Sequence, residues 1–271
     1  QAFVGLSSDY GTLTMGRQYD SVVDYLGPLT ATGSWGGTYF AHPGDNDNAN
    51  NSIRMNNSVK YQSANYAGLS FSGLYAFSNQ ADGFAENRAY SVGAGYQAGG
   101  LKLGAAYLQT QGSNLNTSGA VQDGPFAGNA AVSETQRTWG VGGSYEFGPA
   151  TVGLVYTQSR YQFAYGDGSI RFNNYEVNAR YNLTPALAVG AAYTYTQAVE
   201  STLNAANTSS HWNQFGLQAD YALSRRTDIY AEGVMSAGGN GALIPTQVFG
   251  TNAPSSSRNQ VVVTTGLRHR F

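Results

Sequence analysis

The stretch NNYEVNARYNL, residues 173–183, places Tyr175, Val177, Ala179 and Tyr181 at every second position, with Asn174, Glu176, Asn178 and Arg180 between them. Successive side chains of an extended chain point to opposite faces. The stretch is therefore a strand with one apolar and one polar face. The pattern recurs along the whole chain. GLSFSGLYAF (68–77), LKLGAAYLQT (101–110), NQFGLQADYAL (213–223) and VVVTTGLRHRF (261–271) all alternate in the same way. Helical spacing does not compete over these windows, and so much Gly and Thr would serve a helix poorly.

The connections between strands have two lengths that take turns. SDYG (8–11), SANYAG (63–68), QAGG (97–100), FGPA (147–150), NLTPA (182–186) and LSRR (223–226) are short. Residues 19–52, 78–87, 112–133, 164–168, 199–210 and 238–258 form the longer polar ones. Short turns at one end and long loops at the other describe a transmembrane antiparallel β-barrel of the outer-membrane type, with periplasmic turns and extracellular loops. The pattern predicts thirteen strands in one domain, 1–271, each near the length that a tilted spanning strand needs.

Composition agrees. Of 271 residues only 11% are charged and 13% are aromatic, whereas soluble domains carry about 25% charge. No run of about 18 apolar residues could form a spanning helix. Tyr61, Phe77, Tyr96, Tyr107, Tyr145, Tyr181 and Tyr221 fall near strand ends on the apolar side, where aromatic girdles belong. The other face carries Ser, Thr, Asn and Gln, which a water-filled lumen accepts and a greasy core does not.

Other function classes find little support. The absence of cysteine excludes disulfides and thiolate metal sites. A net charge of -2 gives no bulk basic character for nucleic acid. His42, His211 and His269 lie far apart without metal spacing, and Ser210 beside His211 would face the opposite way in a strand. The expectation is a channel without a cofactor, not an enzyme. The alternative is a solute-selective channel, or an adhesin binding through its loops. Aromatics gather on the face away from the lumen, which favours a general pore.

Several stretches resemble the trimeric general porins of Gram-negative outer membranes, closest to their beta-proteobacterial branch. QAFVGLSSDYGTLTMGRQYD (1–20) looks like the family's fourth and fifth strands, and DSVVDYLGPLTATG (20–33) like the start of its third loop. RMNNSVKYQS (54–63) resembles the sixth strand, and LSRRTDIYAEG (223–233) with TTGLRHRF (264–271) resembles the last hairpin. The resemblance implies a sixteen-stranded barrel with an inward-folded third loop, of which thirteen strands lie in this chain and three would precede Gln1. An odd number fits that expectation, since bacterial single-chain barrels have even counts. The resemblance also implies a homotrimer surrounded by outer-membrane lipid, passing ions and small hydrophilic solutes. Terminal Phe271 resembles the signal read by the outer-membrane barrel assembly machinery.

A constriction is the expected functional site. Segment 19–52 is the longest connection and carries Asp20, Asp24, Asp45 and Asp47. Val22, Val23 and Leu26 have the spacing of one or two helical turns packed on a wall. Arg54 and Lys60 share the even-numbered, polar side of strand 53–63 with Asn56 and Ser58, and in the family the position matching Arg54 belongs to a basic constriction cluster. Lys102, Arg180, Arg268 and Arg270 also fall on the polar side. Arg17 shares a face with Leu13 and Met15, an outward position that lipid penalises; the resemblance implies a trimer-interface role.

The alternation of connections fixes orientation. Protease applied to intact cells bearing the protein should cut at 112–133 and 238–258 and spare FGPA and NLTPA; cleavage at those turns instead would reverse the topology.

Overall fold

The computed structural model describes residues 1–113, 116–122, 135–163, 168–201, 207–239 and 245–270. Thirteen strands form one antiparallel sheet in which spatial order is chain order, as the alternation predicts. They are β1 (Ala2–Ser8), β2 (Gly11–Gln18), β3 (Met55–Ser63), β4 (Leu69–Ala76), β5 (Arg88–Ala98), β6 (Leu101–Gln111), β7 (Thr135–Phe147), β8 (Ala150–Gln162), β9 (Ser169–Asn182), β10 (Leu187–Ser201), β11 (Thr208–Ala222), β12 (Thr227–Gly238) and β13 (Asn259–His269). Among the described residues β1 is laddered only to β2, and β13 only to β12. The sheet is open between them.

The short turns close by local chemistry. Gly99 and Gly148 open two-residue turns at φ 56° and 58°, a left-handed backbone that glycine takes at no steric cost. In two others, a hydroxyl does the work. The Thr184 Oγ1 accepts from the amides of Ala186 (3.2 Å) and Leu187 (2.9 Å), and the Ser224 Oγ accepts from Arg226 (3.2 Å) and Thr227 (3.1 Å). Such hydroxyl turns satisfy amides that no strand partner reaches.

The two faces are the reverse of a soluble sandwich. Leu154, Leu217 and Val263 are exposed on the outer face. Thr157, Asn174 and Thr196 on the inner face are completely buried. Of the expected girdle residues, Tyr61, Phe77, Tyr96, Tyr145, Tyr181 and Tyr221 are exposed, and Tyr107 is half-buried.

What buries the inner face is the chain between β2 and β3. It folds into α1 (Ser21–Tyr25), α2 (Ala31–Ser34) and three single 3-10 turns. The helical turn expected from SVVDYLG is present. Asp20 caps α1 by accepting from Val22 N at 2.7 Å, and Val22 and Leu26 are fully buried with Ile53, Met55, Leu74 and Leu108. Further along, Trp35 and Phe40 pack edge to face, centroids 5.1 Å apart, beside Val234 and Val248.

Glycines on the inner face make this close approach possible. A methyl group at Gly93 or Gly104 would strike Tyr25, one at Gly140 would strike Leu26, one at Gly190 the Trp35 indole, and one at Gly216 the Phe40 ring. Gly93 and Gly140 both lie opposite Ala106, and Gly104 lies opposite Gly95 and Gly142, so the small residues form a track across neighbouring strands. Gly216→Val should therefore dislodge segment 19–54 while leaving the sheet intact. Limited proteolysis should cut that segment at least about tenfold faster in the variant, the ratio that a loss of roughly 1.4 kcal/mol produces; unchanged cleavage would show that the ring does not rest there.

Candidate functional site

The site is the seam between segment 19–54 and the sheet's inner wall. Two wall carboxylates receive loop backbone. Glu176 on β9 accepts from Ala31 N through Oε1 at 2.7 Å, and Asn178 Nδ2 supports the same oxygen at 2.6 Å. Glu232 on β12 accepts from Gly37 N at 3.1 Å, supported by Gln218 Nε2 at 2.9 Å. Ala31 N is one of the free amides at the start of α2, so a carboxylate there meets an otherwise unpaired donor. Asn178 Nδ2 also donates to the carbonyl of Leu29 at 2.9 Å.

His42 bridges loop and wall. Its Nδ1 donates to Asp47 Oδ2 at 2.6 Å, and its Nε2 donates to Glu176 Oε2 at 2.9 Å. All three side chains are sealed from solvent. Burial pushes the imidazole pKa down, but the Asp47 carboxylate and the two hydrogen bonds outweigh it and hold it well above the usual value. Burial pushes Asp47 up; His42 outweighs that and leaves it below the ordinary range. A charged imidazolium between two carboxylates uses both ring N–H groups, as its donor inventory requires. Asn174 links this centre to the wall, donating to Asn46 Oδ1 and Thr157 Oγ1, each at 2.9 Å.

The expected constriction residues take different places. Asp24 pairs with Lys60 across the seam, and Lys60 also donates to the Tyr19 carbonyl at 2.9 Å. Burial raises the Asp24 pKa, with Lys60 opposing. Asp20, Asp45 and Asp47 differ from expectation: all three are buried and spend their oxygens inside the seam. Asp20 accepts from Asn48 Nδ2 at 2.6 Å, and burial pushes its carboxyl up to about 7. Asp45 accepts from Asn50 N at 2.9 Å and Ser52 N at 3.1 Å, and burial pushes it up to about 6. The loop closes over these acids because its own backbone donors face inward.

Arg54 also departs from the simple alternation. The strand begins at Met55, whose side chain is fully buried, and Asn57 has a φ of 51°. This irregularity resets the parity between Arg54 and Ser58, so Arg54 is not the next rung below Lys60. It is half-buried, donates to Asn51 Oδ1 at 2.9 Å and lies over the Tyr19 ring at 5.4 Å. Arg17 keeps its outward parity and donates to Asn56 Oδ1 at 2.7 Å. Farther along the inner wall, Arg268 pairs with Asp220 at 2.9 Å and with Asp228, which Arg270 approaches at 3.5 Å. Phe271 lies outside the described residues. Sequence reasoning missed Glu176, Glu232 and His42. The available signal was two carboxylates and many amides at inner positions opposite an unusually long loop.

A family model described as Gram-negative porin matches residues 1–240. An outer membrane porin protein of Bordetella pertussis is 28% identical over 296 residues, covering 100% of this chain and 71% of that protein. An anion-selective porin from Comamonas acidovorans superposes with a TM-score of 0.73 at 21% identity, over 99% of this chain and 77% of that one. OmpF of Salmonella typhi, in complex with daunomycin, gives a TM-score of 0.63 at 17% identity, over 98% and 77%. These two likenesses concern the fold.

The seam should respond to pH with a definite sign. His42, Asp20 and Asp45 all have folded-state pKa values above their ordinary ones. Their contribution is complete below the unfolded value and is lost as pH rises through the folded one. For the two acids that loss runs from about 4 to about 7, and for His42 it begins above about 6.5. Asp47 is lowered, so its contribution fails on the acid side. Opening free energies of the loop amides, from hydrogen exchange corrected for intrinsic rate, should fall with rising pH above neutrality. His42→Ala should lower them by roughly 3 to 5 kcal/mol, the cost of leaving a buried charge unpaired. A flat profile, or an unaffected variant, would remove His42 from the seam.

Proposed function

The chain belongs to the Gram-negative porin family, and from that premise we propose that segment 19–54 forms the constriction of its channel. The protein resides in the bacterial outer membrane and is a water-filled channel for passive diffusion of ions and small hydrophilic solutes. It is not an enzyme. The observation that carries the constriction is the attachment of the loop backbone to Glu176 and Glu232 on the inner wall. A loop held there takes up lumen cross-section.

In this reading the charges that ions meet are Arg54, and Lys60 with its partner Asp24. Asp20, Asp45 and Asp47 hold the loop's shape. A guanidinium that no carboxylate neutralises among the described residues, beside a neutralised acid–base pair, raises local anion concentration and sets up a transverse field across the narrow part. The anion-selective Comamonas porin, similar in fold, makes anion preference the natural direction to test.

We further propose a homotrimer, with outer-membrane lipid around it and the barrel assembly machinery as its insertion partner through Phe271. Arg17, tied to Asn56 on the outward side, shares its face with exposed Val4, Leu13 and Met15. An arginine in that setting is better served by a neighbouring subunit than by lipid.

Replacing Arg54 with glutamate should move the reversal potential in planar bilayers toward cations. The shift should shrink as salt rises from 0.1 to 1 M, because the screening length falls from about 10 Å to about 3 Å. An unchanged reversal potential at low salt would place Arg54 away from the ion path.

A further inference from the structure

We propose that Tyr90 on β5 and Tyr107 on β6 form a site of oxidative modification, where lipid peroxyl radicals are quenched and the two rings become joined as dityrosine. Both side chains lie on the outer face and are half-buried. Their hydroxyls converge on one atom: Tyr90 Oη and Tyr107 Oη each donate to Gln109 Oε1 at 2.7 Å. Arg137 Nε donates to the same oxygen at 3.3 Å. The ring centroids are 6.2 Å apart, with the planes at 31°. A single carbonyl oxygen thus sets the two phenol oxygens side by side, and the ring carbons next to those oxygens are the ones that couple.

The register singles out this pair. Tyr90 is opposite Gln109 and Tyr107 is opposite Val92, so the two tyrosines are diagonal neighbours. Diagonal side chains start about 7 Å apart, and directly opposite ones about 5 Å. The joined rings form a stiff biphenyl whose two stems leave well apart, and the diagonal spacing accommodates that span. Tyr156 and Tyr175 have nearer rings, with centroids at 5.0 Å, but they are directly opposite. Tyr175 and Tyr195 are directly opposite too. Linking either of those pairs would pry their strands apart.

Depth selects the oxidant. Toward the middle of the strands the pair adjoins Val92, which is exposed. Toward the loop ends it adjoins Gln109 and then Arg88, whose Nη2 donates to Gln111 Oε1 at 2.9 Å. The phenols therefore stand at the step from hydrocarbon to polar layer, which aromatic belts mark. A lipid peroxyl radical carries a polar O–O end on an apolar chain. Hydrocarbon disfavours that end, so it is drawn to the same level. Each phenol gives one hydrogen atom to one peroxyl radical, which becomes a hydroperoxide and leaves a phenoxyl radical. The two phenoxyl radicals pair their odd electrons in one carbon–carbon bond. Each coupled carbon then passes its hydrogen, as a proton, back to its own ring's oxygen, which restores two phenols. In sum, two peroxyl radicals are reduced to two hydroperoxides, and two tyrosines are oxidised by the loss of two hydrogen atoms. The bond fastens β5 to β6 behind Ala89 and Leu108, inner residues that share one cluster with Val22 and Leu26 of segment 19–54.

The test exposes the purified full chain, in detergent micelles under air, to a lipid-soluble azo initiator that supplies peroxyl radicals. After trypsin, peptides 89–102 and 103–137 should appear joined, at their summed mass less two hydrogen atoms, with fragmentation placing the bond on Tyr90 and Tyr107. This should be the most abundant dityrosine link in the chain. It should be lost in Y90F and in Y107F, and its yield should drop in Q109L, with circular dichroism checking the fold. A mixture of chains grown on light and heavy nitrogen should give only unmixed pairs, which marks the link as internal to one chain. Should a variant misfold, the peptide map of the wild-type chain still decides. Absence of the Tyr90–Tyr107 link from the oxidised wild-type chain, a more abundant link between Tyr156 and Tyr175, or mixed-isotope pairs would overturn the proposal. So would a joined peptide that survives Y90F or Y107F, or an unchanged yield in folded Q109L.

Discussion

A strand in hydrocarbon has no water to satisfy its N–H and C=O groups, so each must find its partner in the neighbouring strand. That constraint shapes everything else in this molecule. It sets thirteen strands in one uninterrupted ladder and makes the outer face apolar. It also leaves the inner face rich in Ser, Thr, Asn, Gln and Glu, each of which needs a polar partner when covered. Segment 19–54 is the cover, and it meets that face with its own amides, carbonyls and acids. The loop's position therefore follows from the wall's chemistry.

The seam is held by directional contacts laid over small residues. Glycines let Tyr25, Trp35 and Phe40 come close against the wall, and Glu176 and Glu232 catch backbone amides at fixed points. His42 sits where loop and wall carboxylates would otherwise repel, and its charge joins them. Removing one member of such a buried group leaves another uncompensated. Segment 19–54 is consequently held at the wall by buried contacts, while Arg54 and Asp24 remain nearer to solvent.

The fold was legible because its governing contrast is local. Whether Tyr175 or Glu176 faces lipid depends only on alternation, and β9 lies where NNYEVNARYNL predicts it. The turn at SVVDYLG was legible for the same reason, since Val22 and Leu26 repeat at helical spacing. The seam was less so. Asp20, Asp45 and Asp47 look like lumen charges in sequence, yet their burial depends on backbone donors from residues up to seven positions away and on a wall strand over a hundred residues distant. Arg54 was displaced from the expected ladder by the left-handed Asn57, which no alternation rule anticipates. The glycine track is readable in hindsight, because Gly104, Gly140 and Gly190 occupy inner positions of separate strands. Recognising it required knowing which rings would lie above them.

The central claim is that segment 19–54, fixed to the inner wall, narrows the channel. The direct measurement is single-channel conductance of a variant in which residues 20–53 are replaced by a short Gly-Ser connection, compared with the parent under identical salt and voltage. The account predicts a larger conductance and passage of larger neutral solutes in liposome swelling. Equal conductance and an unchanged size limit, from a variant whose strand content matches the parent, would contradict it.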